Sequence, residues 1–373
     1  SFTRTLSNAL QPGASWSYRL IGGADLASAD VLATRSDASG DVRLAPGALV
    51  RTGSGDISLA AGGDLLLGDD RAAIYTAGRQ LPLNADHASD NAYGSLTRLL
   101  ERFYAEFPVE GGDIRIRTGG DIIGATQSTS TYTIVTGRQI TATTHQFISD
   151  WLTRTGSGLE YVGWGLALDL PSQVATATSG GVPIRNLLNA RAGFRQNIGT
   201  LGGGDVDIDA GGDITDLSVM LPTTGKPVGQ RSTPELPTSS GFDSNAILVQ
   251  GGGDLRLRAA GDIRGGMVMV ARGSANLSAG GDVRGGTQYR DGPVFALGDA
   301  SLAVTAGASL ALGAVFDPTM VTQVFALNPA SAASYGLSYT ARSEVSVTAL
   351  GGVLQLINDT DQLALQGIRY VAR

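Results

Sequence analysis

Residues 112–122 read GDIRIRTGGDI, and the Gly-Asp-Ile that opens the stretch returns eight residues later. Between the two copies Ile114, Arg115, Ile116 and Arg117 alternate apolar with charged. A period of two marks a strand with one buried face, and the Gly119-Gly120 pair marks a turn. The pattern G-D-h-x-h-x-A-G-G-D-h, with h aliphatic, recurs at 55–65, 204–214 and 253–263. Weaker copies lie at 40–50, 273–283, 300–310 and 343–353. A third apolar stretch often follows: AIYTAGRQ (73–80), YTIVTGRQ (132–139), MVMVARG (267–273) and VFALGD (294–299).

Three short strands parted by tight turns make one triangular coil, and the shortest complete one runs from 253 to 272, 20 residues. A unit this small cannot bury its own apolar face, whereas stacked units share one continuous interior. The sequence therefore reads as an all-β parallel β-helix. A propeller fits poorly, because blades recur at a regular ~40–50 residues and these copies start at irregular intervals.

The coils are expected over 40–357, after leading strands or an N-terminal coil in 1–39 and before a closing strand or cap in 358–373. Insertions fall at 80–111, 139–203, 221–252 and 315–342. The first three start just after a third strand, so they are expected to leave from one edge. Within them 95–107 and 144–153 carry apolar residues at helical spacing, 183–197 does so more weakly, and 221–240 reads as an extended loop. The outward charges give a stacking order. Arg115 and Arg117, then Asp207 and Asp209, then Arg256 and Arg258 alternate in sign, as neighbouring strands about 4.8 Å apart favour.

The aspartates of the repeat, Asp56, Asp64, Asp113, Asp121, Asp205, Asp213, Asp254, Asp262 and Asp282, read as corner pieces. Their carboxylates are expected to accept local amides while glycine supplies positive φ. Ser274, Ser301, Ser309, Glu344 and Gly352 take the aspartate positions elsewhere, which keeps a turn and loses a metal ligand. Calcium needs six to eight oxygens, and the calcium-binding nonapeptide order GGxGxDx is absent, so the pattern argues against calcium and implies no cofactor. For carbohydrate cleavage, Asp69 and Asp70 beside Arg71, and Glu160 near Trp164, are unspecific pairs of the kind glycosidases use. His87 and His145 are the two histidines and show no metal-ligand spacing. No GxSxG, P-loop or GxGxxG occurs, so no catalytic residues are expected. Phe103, Tyr104, Trp151, Tyr161 and Trp164, on the insertions, have two readings. They contact a glycan or protein partner, or they pad the side of the coils.

Composition narrows the function classes. A net charge of −7 argues against nucleic acid. The absence of cysteine excludes disulfides and thiolate chemistry. No apolar run reaches the ~18 residues of a membrane span. The opening SFTRTLSNALQPGASW lacks the basic start and apolar core of a signal peptide, so in an exported protein these residues would be a processed or excised piece.

The cassettes GDISLAAGGDLLL, GGDIRIRTGGDI and GGGDVDIDAGGDI resemble the repeats of filamentous haemagglutinin-like exoproteins of Gram-negative bacteria, over about 40–310 and more loosely over 340–357. The segments 8–26 and 185–205 also resemble the C-terminal-side region of some of these proteins. The resemblance implies a right-handed β-helical shaft, export through an outer-membrane two-partner transporter, and a secreted or cell-surface location. It implies adhesion to host or neighbouring cells through the insertions. The family's Asn-rich secretion domain and a terminal toxin-like cluster are not recognisable, so the chain reads as an interior or C-terminal-side shaft segment. A self-associating fibre or biofilm-matrix protein is the second reading, and a polysaccharide-degrading β-helix enzyme the third.

Overall fold

The computed structural model describes residues 10–35, 37, 39–80, 106–125, 128–133, 139–144, 147–155, 163–166, 168, 178–179, 182–183, 193–227, 247–320 and 336–357. Among these the protein is all-β apart from one helical turn, α1 (Ile148–Trp151), and a 3-10 turn (Pro318–Met320). Two large parallel sheets of thirteen and eight strands dominate it.

The eight-stranded sheet divides the chain into eight tiers, each contributing one strand to it. Tier 1 comprises Tyr18–Gly22, Val42–Leu44 and Leu49–Thr52. Tier 2 comprises Ile57–Ala61, Leu65–Leu67 and Ala73–Thr76. Tier 3 has Ile114–Thr118, Ile122–Ile123 and Ile198–Thr200; tier 4 has Val206–Ala210, Ile214–Thr215 and Val219–Leu221. Tier 5 opens with Leu255–Ala259 and Ile263–Arg264. From here two strands of 13 residues, Met267–Ala279 and Val294–Ala306, each end one tier and begin the next. Val283–Arg284 lies between them in tier 6, and Leu310–Leu312 and Ala314–Phe316 complete tier 7. Tier 8 has Glu344–Ala349 and Leu354–Leu356. We call the first, second and third strand positions the first, second and third rows.

Pairing is parallel and in one register. Ile57 faces Ile114, which faces Val206, which faces Leu255; the next partners are Ala275, Leu302 and Val345. The second row repeats this from Val42 through Leu65, Ile122, Ile214, Ile263, Val283 and Leu310 to Leu354. Alternation in the sequence thus points Ile57, Ile114, Val206 and Leu255 into one buried core that runs through all the tiers. Full burial of each such side chain stabilises by roughly 1.5–3 kcal/mol.

Three sequence registers are corrected by these pairings. The repeat pattern sets GDV of the copy at 40–50 at a first corner, yet Val42 pairs with Leu65, so Asp41 sits at the second corner. The first-row strand of that tier is Tyr18–Gly22, within the leading stretch. YTIVTGRQ does not supply the third strand of tier 3. Ser128–Thr133 pairs antiparallel with Gln139–Thr144, and Ile198–Thr200 takes the third row beside Ile74 and Val219. The second insertion therefore leaves before the third strand, between Ile123 and Ile198, and not from the edge used by the other two. In tier 8, Leu354 pairs with Leu310, so Val353 and not Gly352 takes the second aspartate position.

The third row is apolar on both sides, as the runs MVMV and VFAL require. Its inner side chains join the main core. Its outer ones, Tyr75, Met220, Met267, Met269, Ala296 and Phe316, form a second core with insertion residues Phe147, Trp151, Trp164, Leu166 and Phe194. Leu152–Thr155, Gly163–Leu166, Thr223–Pro227 and Ile247–Gly251 form an antiparallel sheet in this layer. The helix expected over 144–153 is only α1, after which the chain turns into the strand Leu152–Thr155. Residues 95–105 and 184–192 of the other two expected helices lie outside the described residues, and 193–197 is not helical.

Replacing Trp151 by Ala should cost about 3–5 kcal/mol, because its whole ring is buried in the second core. Urea unfolding of the variant measures this.

Candidate interaction surface

The repeat aspartates hold successive tiers together. At the first corner the Asp56 carboxylate accepts the amide N–H of Asp113 at 2.9 Å, and Asp113 accepts that of Asp205 at 2.9 Å. Asp205 accepts the Asp254 amide, and Asp254 accepts the Ser274 amide, both at 2.8 Å. At the second corner the series runs from Asp41 through Asp64, Asp121, Asp213 and Asp262 to Asp282, with N···O distances of 2.7–3.0 Å. Asp282 then accepts the Ser309 amide, and Ser309 Oγ accepts the Val353 amide at 3.2 Å. The expected local turn bonds are replaced here by bonds between tiers. Where the chain turns the corner, the carboxylate stands in for the carbonyl of a continuing strand.

Glycine answers the same geometry. A Cβ on Gly212 would lie 2.0 Å from Asp121 Oδ1, and one on Gly261 2.0 Å from Asp213 Oδ1. Neither has positive φ, so space and not backbone conformation demands glycine there. From tier 3 to tier 5 each Gly-Asp pair sits over the aspartate of the tier before it.

The two ladders differ in charge. Arg264 reaches Asp213 at 2.7 Å and Asp262 at 2.9 Å, Arg284 reaches Asp262 at 3.0 Å, and Arg43 reaches Asp41 at 2.8 Å. Burial pushes the Asp262 carboxyl up, and the Asp282 amide with Arg264 and Arg284 outweighs it, leaving the group below its ordinary range. The Asp64 amide, with Arg43, lowers that of Asp41. Among the described residues no cation pairs with Asp56, Asp113, Asp205 or Asp254. Those of tiers 3 to 5 border an open groove of about 330 Å³, lined also by Arg115, Asp207, Arg256, Ser274 and Asn276.

The alternating charges of the first row do lie side by side, Arg115 facing Asp207 and Asp207 facing Arg256. Ion pairs form on one side of the aspartates: Arg256 to Asp207 at 3.2 Å and Arg258 to Asp209 at 2.8 Å. Arg117 turns instead to Asp30 at 3.6 Å, and Arg115 has no carboxylate partner among the described residues. The groove thus sets carboxylate acceptors beside guanidinium donors, an arrangement that suits polyhydroxylated or zwitterionic ligands.

Of the five insertion aromatics, Phe103, Tyr104 and Tyr161 lie outside the described residues. Trp151 and Trp164 are 0% and 4% exposed. Trp151 Nε1 donates to Gln196 Oε1 at 2.7 Å, and Trp164 Nε1 donates to the Thr223 carbonyl at 2.8 Å. Both indoles are buried with their polar atoms satisfied inside the protein, so neither is presented to a partner; they pad the third row. Asp69 accepts the amides of Gly47, Arg71 and Ala72 and pairs with Arg71, holding its loop. In sequence Asp113, Asp205 and Asp254 read only as corners, and what places them on a groove is the alignment of tiers. No protein-family model, curated protein or solved structure matches this chain.

Gly212→Ala should destabilise by about 1–3 kcal/mol through overpacking. Asp121→Ala removes the oxygen it would strike, so the double variant should lose less than the two single losses added together, as a denaturation cycle measures. Acid should loosen the second ladder. The Asp262 carboxyl is depressed in the folded state, so its contribution is full above the unfolded value of about 3.9 and lost as pH falls through the folded value. Asp262→Asn should therefore melt lower than the parent at pH 7 and converge with it as pH falls below about 4.

Proposed function

We propose that the chain is a length of right-handed parallel β-helical shaft from a secreted or surface-displayed bacterial adhesin of the filamentous haemagglutinin-like kind. The eight tiers are its coils. It works by binding and not by catalysis, and its export through an outer-membrane two-partner transporter belongs to the same reading. The observation that carries this is the stack itself: tiers paired in a single register and locked at two corners by carboxylate–amide bonds. Such a stack is a rigid spacer with a long lateral surface. Insertions cover the third row, whereas the charged outer side of the first row faces solvent and carries the groove. That side, with the outer residues of the insertions, is the contact surface for glycan or protein on a cell or in a matrix.

Purified protein presented to a glycan array and to intact cells tests this. Retention without shortening of the bound glycan is expected. Arg115→Ala combined with Arg256→Ala should weaken retention about tenfold, equivalent to about 1.4 kcal/mol. Release of cleaved sugar would point to the enzyme reading, and failure to bind any surface would remove adhesion.

A further inference from the structure

The bend between the second and third rows differs in length from tier to tier, so no residue type recurs along it as aspartate does at the other two corners. Polar side chains from several tiers meet there instead, around one small cavity of about 10 Å³. Asp70 comes from tier 2, Arg195 and Gln196 from the returning end of the second insertion, and Ser218 from tier 4. Gln288 and Tyr289 come from the tier 6 loop (285–293). Asp70, Gln196, Ser218 and Tyr289 are 5%, 5%, 3% and 6% exposed, so the cavity has a lining of buried polar groups.

Several donors in this lining meet a weak acceptor or none. Trp151 Nε1 donates to Gln196 Oε1, which fixes the amide so that its Nε2 donates to the Met267 sulfur at 3.6 Å. The Tyr289 hydroxyl donates to the same sulfur at 3.7 Å. A thioether is a weak acceptor, so neither bond satisfies its donor as an oxygen would. Gln288 Nε2 is buried and has no acceptor among the described residues, which is costly for an amide. Burial, and then the Asp216 carboxylate, push the Tyr289 phenol up, so it keeps its proton and stays a donor.

The cavity has about the room that one water needs. Its lining sets one carboxylate, Asp70, against one guanidinium, Arg195. The carboxylate disfavours an anion, and the guanidinium with the amide donors disfavours a cation. A neutral guest that carries both lone pairs and protons answers the two together. A buried water makes about three hydrogen bonds to groups of this kind. We propose that the cavity binds one ordered water, which accepts from Gln288 Nε2, donates to the Asp70 carboxylate, and so ties the tier 6 loop to tier 2 beside the root of the second insertion. The third bend is then bridged by solvent where the other two are bridged by carboxylates. This inference is independent of what the outer side of the first row binds.

A high-resolution crystal structure of the purified chain, with bromide and rubidium soaks, tests it. One density peak within hydrogen-bond distance of Gln288 Nε2 and the Asp70 carboxylate is expected, with no anomalous signal from either soak. In solution, magnetic relaxation dispersion of water oxygen counts long-lived internal waters. Gln288→Leu should hold one fewer than the parent, with circular dichroism unchanged to show that the stack is folded. Should that variant unfold, the parent crystal alone decides. An empty cavity overturns the proposal, as does an equal count of long-lived waters in parent and folded variant. A bromide or rubidium peak in the cavity also overturns it, in favour of an ion.

Discussion

One bond recurs along two corners of the stack: an aspartate oxygen accepts the backbone amide of the residue that lies over it in the next tier. It runs from tier 2 to tier 6 at the first corner and from tier 1 to tier 7 at the second. A parallel stack of short strands loses its ladder hydrogen bonds wherever the chain bends, and a buried or half-buried amide without an acceptor is costly. The carboxylate supplies that acceptor and brings a charge, which makes the bond stronger than its neutral counterpart. Glycine is then obligatory at several positions, because the carboxylate fills the space where a Cβ would stand. The Gly-Asp pair is thus one device with two parts, each of which acts on a different neighbour.

The same device separates the uses of the three rows. The first row alternates aliphatic with charged residues, so one side builds the core while the other stays wet. The third row is apolar on both sides and needs a second layer. That layer comes from the insertions, with Trp151 and Trp164 as its largest anchors. Consequently Trp151 and Trp164, two of the five aromatics with the look of ligand contacts, are spent on packing, and among the described residues the polar outer side of the first row is left open.

Much of this is legible in the sequence because tiers 2 to 7 keep an eight-residue distance between the first and second corners. It put Ile57, Ile114, Val206 and Leu255 in one register and set Arg256 and Arg258 beside Asp207 and Asp209. Legibility failed where two segments of similar composition compete for one position. GDVRL at 40–44 looks like a first corner and is a second one, since pairing with Leu65 decides it. YTIVT at 132–136 has the composition of a third strand, yet Ile198–Thr200 takes the place. The role of the aspartates was read from their preference for turns, which is a local property. Their actual partners lie a whole tier away, and no local pattern reports them. The burial of Trp151 and Trp164 did have a signal, in the uninterrupted apolar runs of the third row.

The ladder bonds also bear on how far apart in the chain two touching tiers stand. Equivalent corners are separated by 20 residues between tiers 5 and 6 and by 92 between tiers 3 and 4. Loop-closure entropy grows only with the logarithm of length, so the longer connection costs about 1.4 kcal/mol more than the shorter. A single charge-assisted hydrogen bond, worth about 1.5–3 kcal/mol, offsets that difference. Insertion length is therefore almost thermodynamically neutral in this architecture, and a tier holds its place equally well whether its predecessor left by a tight turn or by a detour long enough to build a second layer.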